Sequence, residues 1–138
     1  ADGTIDVVAT DHAPHHKDEK DVEFDQAAHG VVGLETLLPL TLQLVHDGLL
    51  DLPTAIAKIT SEPARILRLS AGRLEVGVPA DLVVIDPDHE WVVSSESLLS
   101  KSKNTAFDGW KMRGRALVTL VDGRIVHDLR SNGAAAAG

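Results

Sequence analysis

The 138-residue chain contains no cysteine and no tyrosine. Without thiols it has no disulfide and no thiolate ligand, so any metal it holds must rest on histidine and carboxylate. Aromatic residues make up only 3%, and the core has to be built from Leu, Val, Ile and Ala. Positive charge is scarce as well: 13 Lys and Arg stand against 21 Asp and Glu, a formal net charge of −8. That balance argues against nucleic acid or an anionic membrane surface as the main partner. It also gives an anionic substrate no long-range attraction, so an acid-binding site must act locally. No apolar run approaches the roughly 20 residues of a membrane span, and the opening residues do not read as a signal peptide. A cytoplasmic location is compatible with these absences. The chain opens at Ala1, without an initiator methionine and almost directly in a strand-like segment, and it reads as a piece of something longer.

What is present divides near residue 72. "IDVVA" (5–9) has the look of a short, fully buried strand of a parallel sheet. A polar stretch runs from there to Gly30. "GVVGLETLLPLTLQLVHDG" predicts a helix capped by Gly48, with Leu34, Leu37, Leu38, Thr41, Leu44 and Val45 on one face. Pro39 costs about 3 kcal/mol inside a helix and little in its first turn, so the regular helix should start near Thr36 or bend there. "DLPTAIAKIT" predicts a second helix with Pro53 in its first turn, and "SEPARILRL" a third with Ser61 as N-cap. Beyond Arg73 the pattern becomes β: "DLVVID" bounded by Pro87, then "EWVV", a helical turn at "SSESLLS", and "ALVTLVDGRIVHD". In the last of these, Asp122-Gly123 between two apolar runs signals a hairpin. The expected organisation is 1–71 as the end of an α/β unit, 72–130 as a β-rich part and 131–138 as a disordered tail.

The chemistry concentrates in "ATDHAPHHKDEK". Asp11 follows the expected strand directly, and the C-terminal rim of barrel strands is where catalytic groups are carried. A carboxylate there can ligate a divalent ion or take a proton from an attacking water. By composition alone a turn or capping role for Asp11 stands at about even odds with a functional one. His12, His15 and His16 crowd one loop without a second ligand cluster, so the stretch is not a self-contained metal site. His46, His89 and His127 are scattered singles. His29 reads as a polar loop residue.

"TDHAPH", "EK", "F" and "GVVGLETLLPLTL" together resemble the last barrel strand, loop and helix of the class I dihydroorotases. "SEPARIL", "GRLEVGVPADLVVID", "SKSKNTAFDG" and "VDGRIVHD" continue the resemblance in order, from Ile5 to Asp128. The "PADLVVID" stretch and the closing hairpin are shared across cyclic-amide hydrolases, whereas the Asp-His-Ala-Pro-His and Gly-Leu-Glu-Thr stretches are selective. The fold implied is the last strand and helices of a TIM-type (β/α)8 barrel plus part of a small β-sandwich subdomain, the C-terminal portion of the enzyme. The activity implied is the reversible cyclisation of N-carbamoyl-L-aspartate to L-dihydroorotate at a centre of one or two zinc ions.

On this resemblance Asp11 would contact the metal and shuttle a proton between the attacking water and the amide nitrogen. His15 would meet the substrate carboxylate, and His29-Gly30 would form the loop that closes on the substrate, mainly through backbone groups. His29 departs from the usual aromatic residue there, and Ala106 from a common proline. The family's remaining metal ligands and its substrate arginine have no counterpart in this chain. They would belong to a missing N-terminal part of the same enzyme, and the chain alone should be inactive. A homodimer and an aspartate carbamoyltransferase partner are compatible with the resemblance. The contrasting readings are a non-catalytic dihydroorotase-like scaffold for that transferase, and an allantoinase or hydantoinase.

Overall fold

The computed structural model describes residues 2–134. Four helices come first: α1 (Lys17–Lys20), α2 (Leu37–His46), α3 (Leu52–Ala57) and α4 (Ser61–Leu67). Strands β1 (Leu82–Val92), β2 (Lys111–Val121) and β3 (Arg124–Asp128) follow, with a single 3-10 turn at Ser95–Ser97, and α5 (Leu129–Ala134) ends the described chain. The strands form one antiparallel sheet in the order β1-β2-β3. The described β-rich part is thus one three-stranded layer, without the second layer of a sandwich. Among the described residues no helix is long and apolar enough to cross a membrane.

Local chemistry sets the helix boundaries. Thr36 is the N-cap of α2, which places Pro39 in the first turn, where its missing N–H costs nothing. At the other end, Gly48 takes φ +69° and donates its N–H to the Val45 carbonyl, while Leu49 donates to Leu44. This is a Schellman closure, and glycine is the residue that adopts it without strain. The Asp51 carboxylate caps α3 by accepting the Thr54 N–H at 2.8 Å. Thr60, not Ser61, is the N-cap residue of α4; Ser61 already lies in the first turn.

Two further expectations change. Residues 5–9 form no strand: their backbone is tied by Val8 N–H to the Lys58 carbonyl, at 3.1 Å, rather than by a ladder. A parallel strand is defined by neighbours on its flanks, and the described residues supply none. Pro87 does not end a strand either. It falls in a register shift between Asp86 and Glu90 that keeps "DLVVID" and "EWVV" in one β1, since a bulge tolerates a residue with no N–H to give the ladder. The His46 ring bonds the Pro87 carbonyl at 3.1 Å, so α2 braces this bulge.

The core lies between α2 and the sheet. Leu42 is wholly buried, Val93 nearly so, with Met112 and Val118 beside them. Burial of a side chain the size of Leu42 contributes about 2–3 kcal/mol. The apolar face expected from the sequence omits Leu42 and includes Leu34, which is exposed. The cause is Gly114 in β2: it has φ +104°, and a Cβ there would collide with the Leu42 side chain. The bare backbone of Gly114 leaves room for the leucine, while Thr41, on the expected face, is buried too. The change of element type near residue 72 is therefore bridged by direct packing. The expected disordered tail begins inside α5, and residues 135–138 lie outside the described residues.

Candidate active site

The four expected site residues lie on two adjoining segments. Residues 10–16 carry Asp11 and His15, and residues 28–33 carry His29 and Gly30. A parallel bridge pairs His12 with Val31, and Ala13 N–H donates to the Val31 carbonyl at 2.9 Å. The contact is close because of two glycines. A Cβ on Gly30 would stand 2.5 Å from Ala13 Cβ, and one on Gly33 would stand 3.1 Å from both Thr10 Cβ and its carbonyl oxygen. Gly30 also has φ +100°, a backbone conformation that side-chain-bearing residues rarely adopt.

Asp11 takes φ +46°. Aspartate enters this left-handed region more readily than most residues with a side chain. The twist puts the residue in an exposed position. Among the described residues its carboxylate has no hydrogen-bond or ion-pair partner, whereas Thr10 and Asp18, nearby in sequence, both serve local contacts. An exposed carboxylate that caps nothing is available for other chemistry.

The neighbouring histidines are turned to different tasks. His12 Nδ1 accepts the Gly33 N–H at 3.0 Å, which puts the proton of the neutral ring on Nε2. His16 is the N-cap of α1, its Nδ1 accepting the Asp18 N–H at 3.3 Å. The Glu19 carboxylate completes this capping box by accepting the His16 N–H at 3.0 Å. The same carboxylate lies 3.5 Å from His15 Nδ1, and the His15 side chain is 30% exposed. The His16 N–H first, and the His15 ring after it, hold the Glu19 carboxyl below its ordinary range. His15 thus has one ring nitrogen beside an acid. His29 is exposed.

Three histidines in one loop do not make a metal site here. Among the described residues no group of three His, Asp or Glu side chains converges to hold an ion. The geometry explains it: His12 faces Gly33, His16 faces the start of α1 and His15 faces Glu19. The described residues do not fit a metal by themselves, and Asp11 offers a single carboxylate donor. A cavity of about 330 Å³ between Gly33, Thr36, Leu98 and Ser100 meets the loop only through His12. It is not the place where Asp11, His15 and His29 would act.

Sequence reasoning gave no role to two residues that hold the segments together. Lys20 Nζ donates to the carbonyls of Ala28 (2.6 Å) and Gly30 (3.0 Å). Asn104 Nδ2 donates to the carbonyls of Gly30 (3.1 Å) and Ala13 (3.4 Å). Both residues fall inside stretches that carried the resemblance, but nothing in their spacing indicates contact with Gly30.

Residues 1–126 match the model of the amidohydrolase family. The chain is 58% identical over 127 residues to a dihydroorotase of Geotalea daltonii, covering 92% of this chain and 30% of that protein. It is 57% identical over 129 residues to a dihydroorotase of Syntrophotalea carbinolica, covering 94% and 30%. The chain therefore spans about 30% of the length of the curated relatives it matches. Among solved structures, an L-hydantoinase (dihydropyrimidinase) from Arthrobacter aurescens superposes with a TM-score of 0.84 at 32% identity, over 91% of this chain and 29% of the other. The architecture is that of a fragment of this hydrolase fold, and the chain belongs to the amidohydrolase family.

Proposed function

We propose that this chain is the C-terminal portion of a dihydroorotase, contributing Asp11 and the substrate loop to an active site completed by the rest of the protein. The observation that carries the reading is the exposed carboxylate of Asp11, without a hydrogen-bond or ion-pair partner among the described residues, on a backbone twisted to φ +46°. Identity of 57–58% to dihydroorotases supports the reaction assigned to it. Residues 1–71 correspond on this reading to the last strand and helices of the barrel, and 72–130 to part of its β-subdomain.

The family is generally metal-dependent, and on this reading the intact protein would hold one or two zinc ions. Asp11 is one donor, and the other ligands lie outside this chain. When bound, such a metal supplies a water acidic enough to attack an amide near neutral pH. The residues of this chain handle the proton and the anion. In ring opening, water oxygen bonds to the amide carbon, Asp11 accepts the water proton, the C–N bond breaks, and Asp11 returns the proton to the departing nitrogen. In ring closure the same proton moves in reverse. His15 donates a charge-assisted hydrogen bond to the substrate carboxylate, and His29-Gly30 covers the substrate through backbone groups.

The test uses the intact protein. Asp11→Asn should lower ring opening of dihydroorotate by about 10²–10⁴-fold, the span of acid–base catalysis, with bound metal largely retained in elemental analysis. Near-normal turnover removes Asp11 from the mechanism. The 138-residue chain alone should show no metal-dependent ring opening, because it holds one ligand. The L-hydantoinase superposition motivates a second reading, and faster turnover of hydantoin or dihydrouracil than of dihydroorotate would establish it. An intact protein that opens none of these rings and yet binds aspartate carbamoyltransferase would be a scaffold.

A further inference from the structure

We propose that Asn104 is a positioning residue for this site, setting the distance between the segment of Asp11 and His15 and the loop of His29 and Gly30. The inference rests on the dihydroorotase reading for its kinetic consequence, and on hydrogen bonds for its structural one. Asn104 sits in the loop between the 3-10 turn and β2, 91 residues from Ala13 in sequence. Its amide nitrogen presents two N–H donors in one plane. One reaches the carbonyl of Gly30 at 3.1 Å, and the other the carbonyl of Ala13 at 3.4 Å. Its own backbone carbonyl accepts the N–H of Val32 at 3.1 Å. One residue therefore touches three points on the two segments.

The Asn104 side chain is itself oriented. The Ser102 hydroxyl bonds Asn104 Oδ1, which leaves the nitrogen end facing the two carbonyls. Lys103 Nζ holds the Leu98 carbonyl of the same loop, and Leu98 is buried. On the far side, Lys20 Nζ takes the Gly30 carbonyl at 3.0 Å, so Asn104 and Lys20 hold this carbonyl together. Gly30 cannot rotate without breaking one of those bonds. Asn104 touches no reacting atom on this reading; it acts through the Ala13 and Gly30 carbonyls. Aspartate has the same shape and no donor, and would set a carboxylate against two carbonyl oxygens.

The experiment compares Asn104→Ala and Asn104→Asp with wild type in the intact protein. Steady-state kinetics with dihydroorotate, the pH profile, the thermal midpoint and the rate of tryptic cleavage after Lys17 are measured together. Loss of these two bonds should raise KM about tenfold, leave kcat within about threefold, and leave the pH profile unmoved, because the Asp11 carboxylate is untouched. Cleavage after Lys17 should accelerate several-fold as the segments part. A lower thermal midpoint with unchanged KM and unchanged cleavage would mean an ordinary structural asparagine and would overturn the proposal. If alanine prevents folding, the aspartate variant decides, and failure of both to fold also overturns it. If the wild-type protein does not open dihydroorotate, the functional reading fails on its own. The cleavage rate then still decides whether Asn104 clamps the segments, an unchanged rate refuting it.

Discussion

Replacing Gly30 with alanine tests the close approach on which the site depends. The new Cβ would stand 2.5 Å from Ala13 Cβ, where carbon atoms in ordinary contact sit about 3.5–4.0 Å apart. The two segments must therefore separate by about 1 Å. The φ of +100° adds strain, and a left-handed backbone costs a residue with a Cβ about 1–2 kcal/mol. Strain of that size changes a local opening equilibrium by about 5–30-fold. The amide of Ala13, bonded to the Val31 carbonyl at 2.9 Å, should exchange its hydrogen faster by that factor. In the intact protein, a 1 Å misplacement should lower kcat/KM for dihydroorotate by about 10²-fold. The two costs are separable. Ala13→Gly removes the atom that is struck, so the double variant should regain most of kcat/KM while its exchange stays fast. The reasoning is refuted if the single variant matches wild type within about threefold in both readouts, or if the double variant recovers nothing.

Further predictions follow from the same geometry. His15→Ala in the intact protein should raise KM about tenfold or more, the loss of a hydrogen bond to a charged group, and an unchanged KM with unchanged kcat would count against its role. Asp51→Ala should lower the thermal midpoint by about 3 °C through loss of the α3 cap. The Thr54 N–H holds the Asp51 carboxyl below its ordinary 3.8, so the cap is intact above that pH and is lost as pH falls through the lower native value. Paired melts should therefore show a constant gap between pH 7 and about pH 5 that closes only under stronger acid; a gap that closes near neutrality contradicts the assignment. Hydrogen bonds from Arg130 hold the Asp128 carboxyl at about 2, and Arg130→Ala should move its NMR titration up toward 3.8. A midpoint that stays near 2 would assign the shift to another cause.

The sequence was most legible where one residue type has one local solution. Pro39 had to lie in the first turn of a helix, and α2 begins two residues before it. Asp122-Gly123 had to be a tight hairpin turn, and both residues take positive φ, as a type I′ turn requires. The reading failed where the answer depends on partners far along the chain. "IDVVA" has the composition of a strand, but a strand needs neighbours, and its backbone met Lys58 of the segment after α3 instead. Leu42 was missed as the centre of the core because the space it fills is set by Gly114, 72 positions away. At the site, "TDHAPH" marked the loop, yet three histidines of one type proved to face three different groups. Asn104 is a polar residue in a polar loop, and nothing local distinguishes it from its neighbours.

The hydrogen bond from Asn104 to the carbonyl of Ala13 spans 91 positions, and this has a consequence for how the protein is made. Synthesis proceeds from the N-terminus at about 5–20 residues per second. The Asp11 loop leaves the ribosome roughly 5–20 seconds before the residue that fastens it. During that interval helices α2, α3 and α4 can form, since their contacts are local, and among the described residues the loop is held by the Val31 segment, which Lys20 fastens in turn. An mRNA truncated just ahead of the Asn104 codon would yield a nascent chain with every candidate site residue of this segment present and the spacing between them unset.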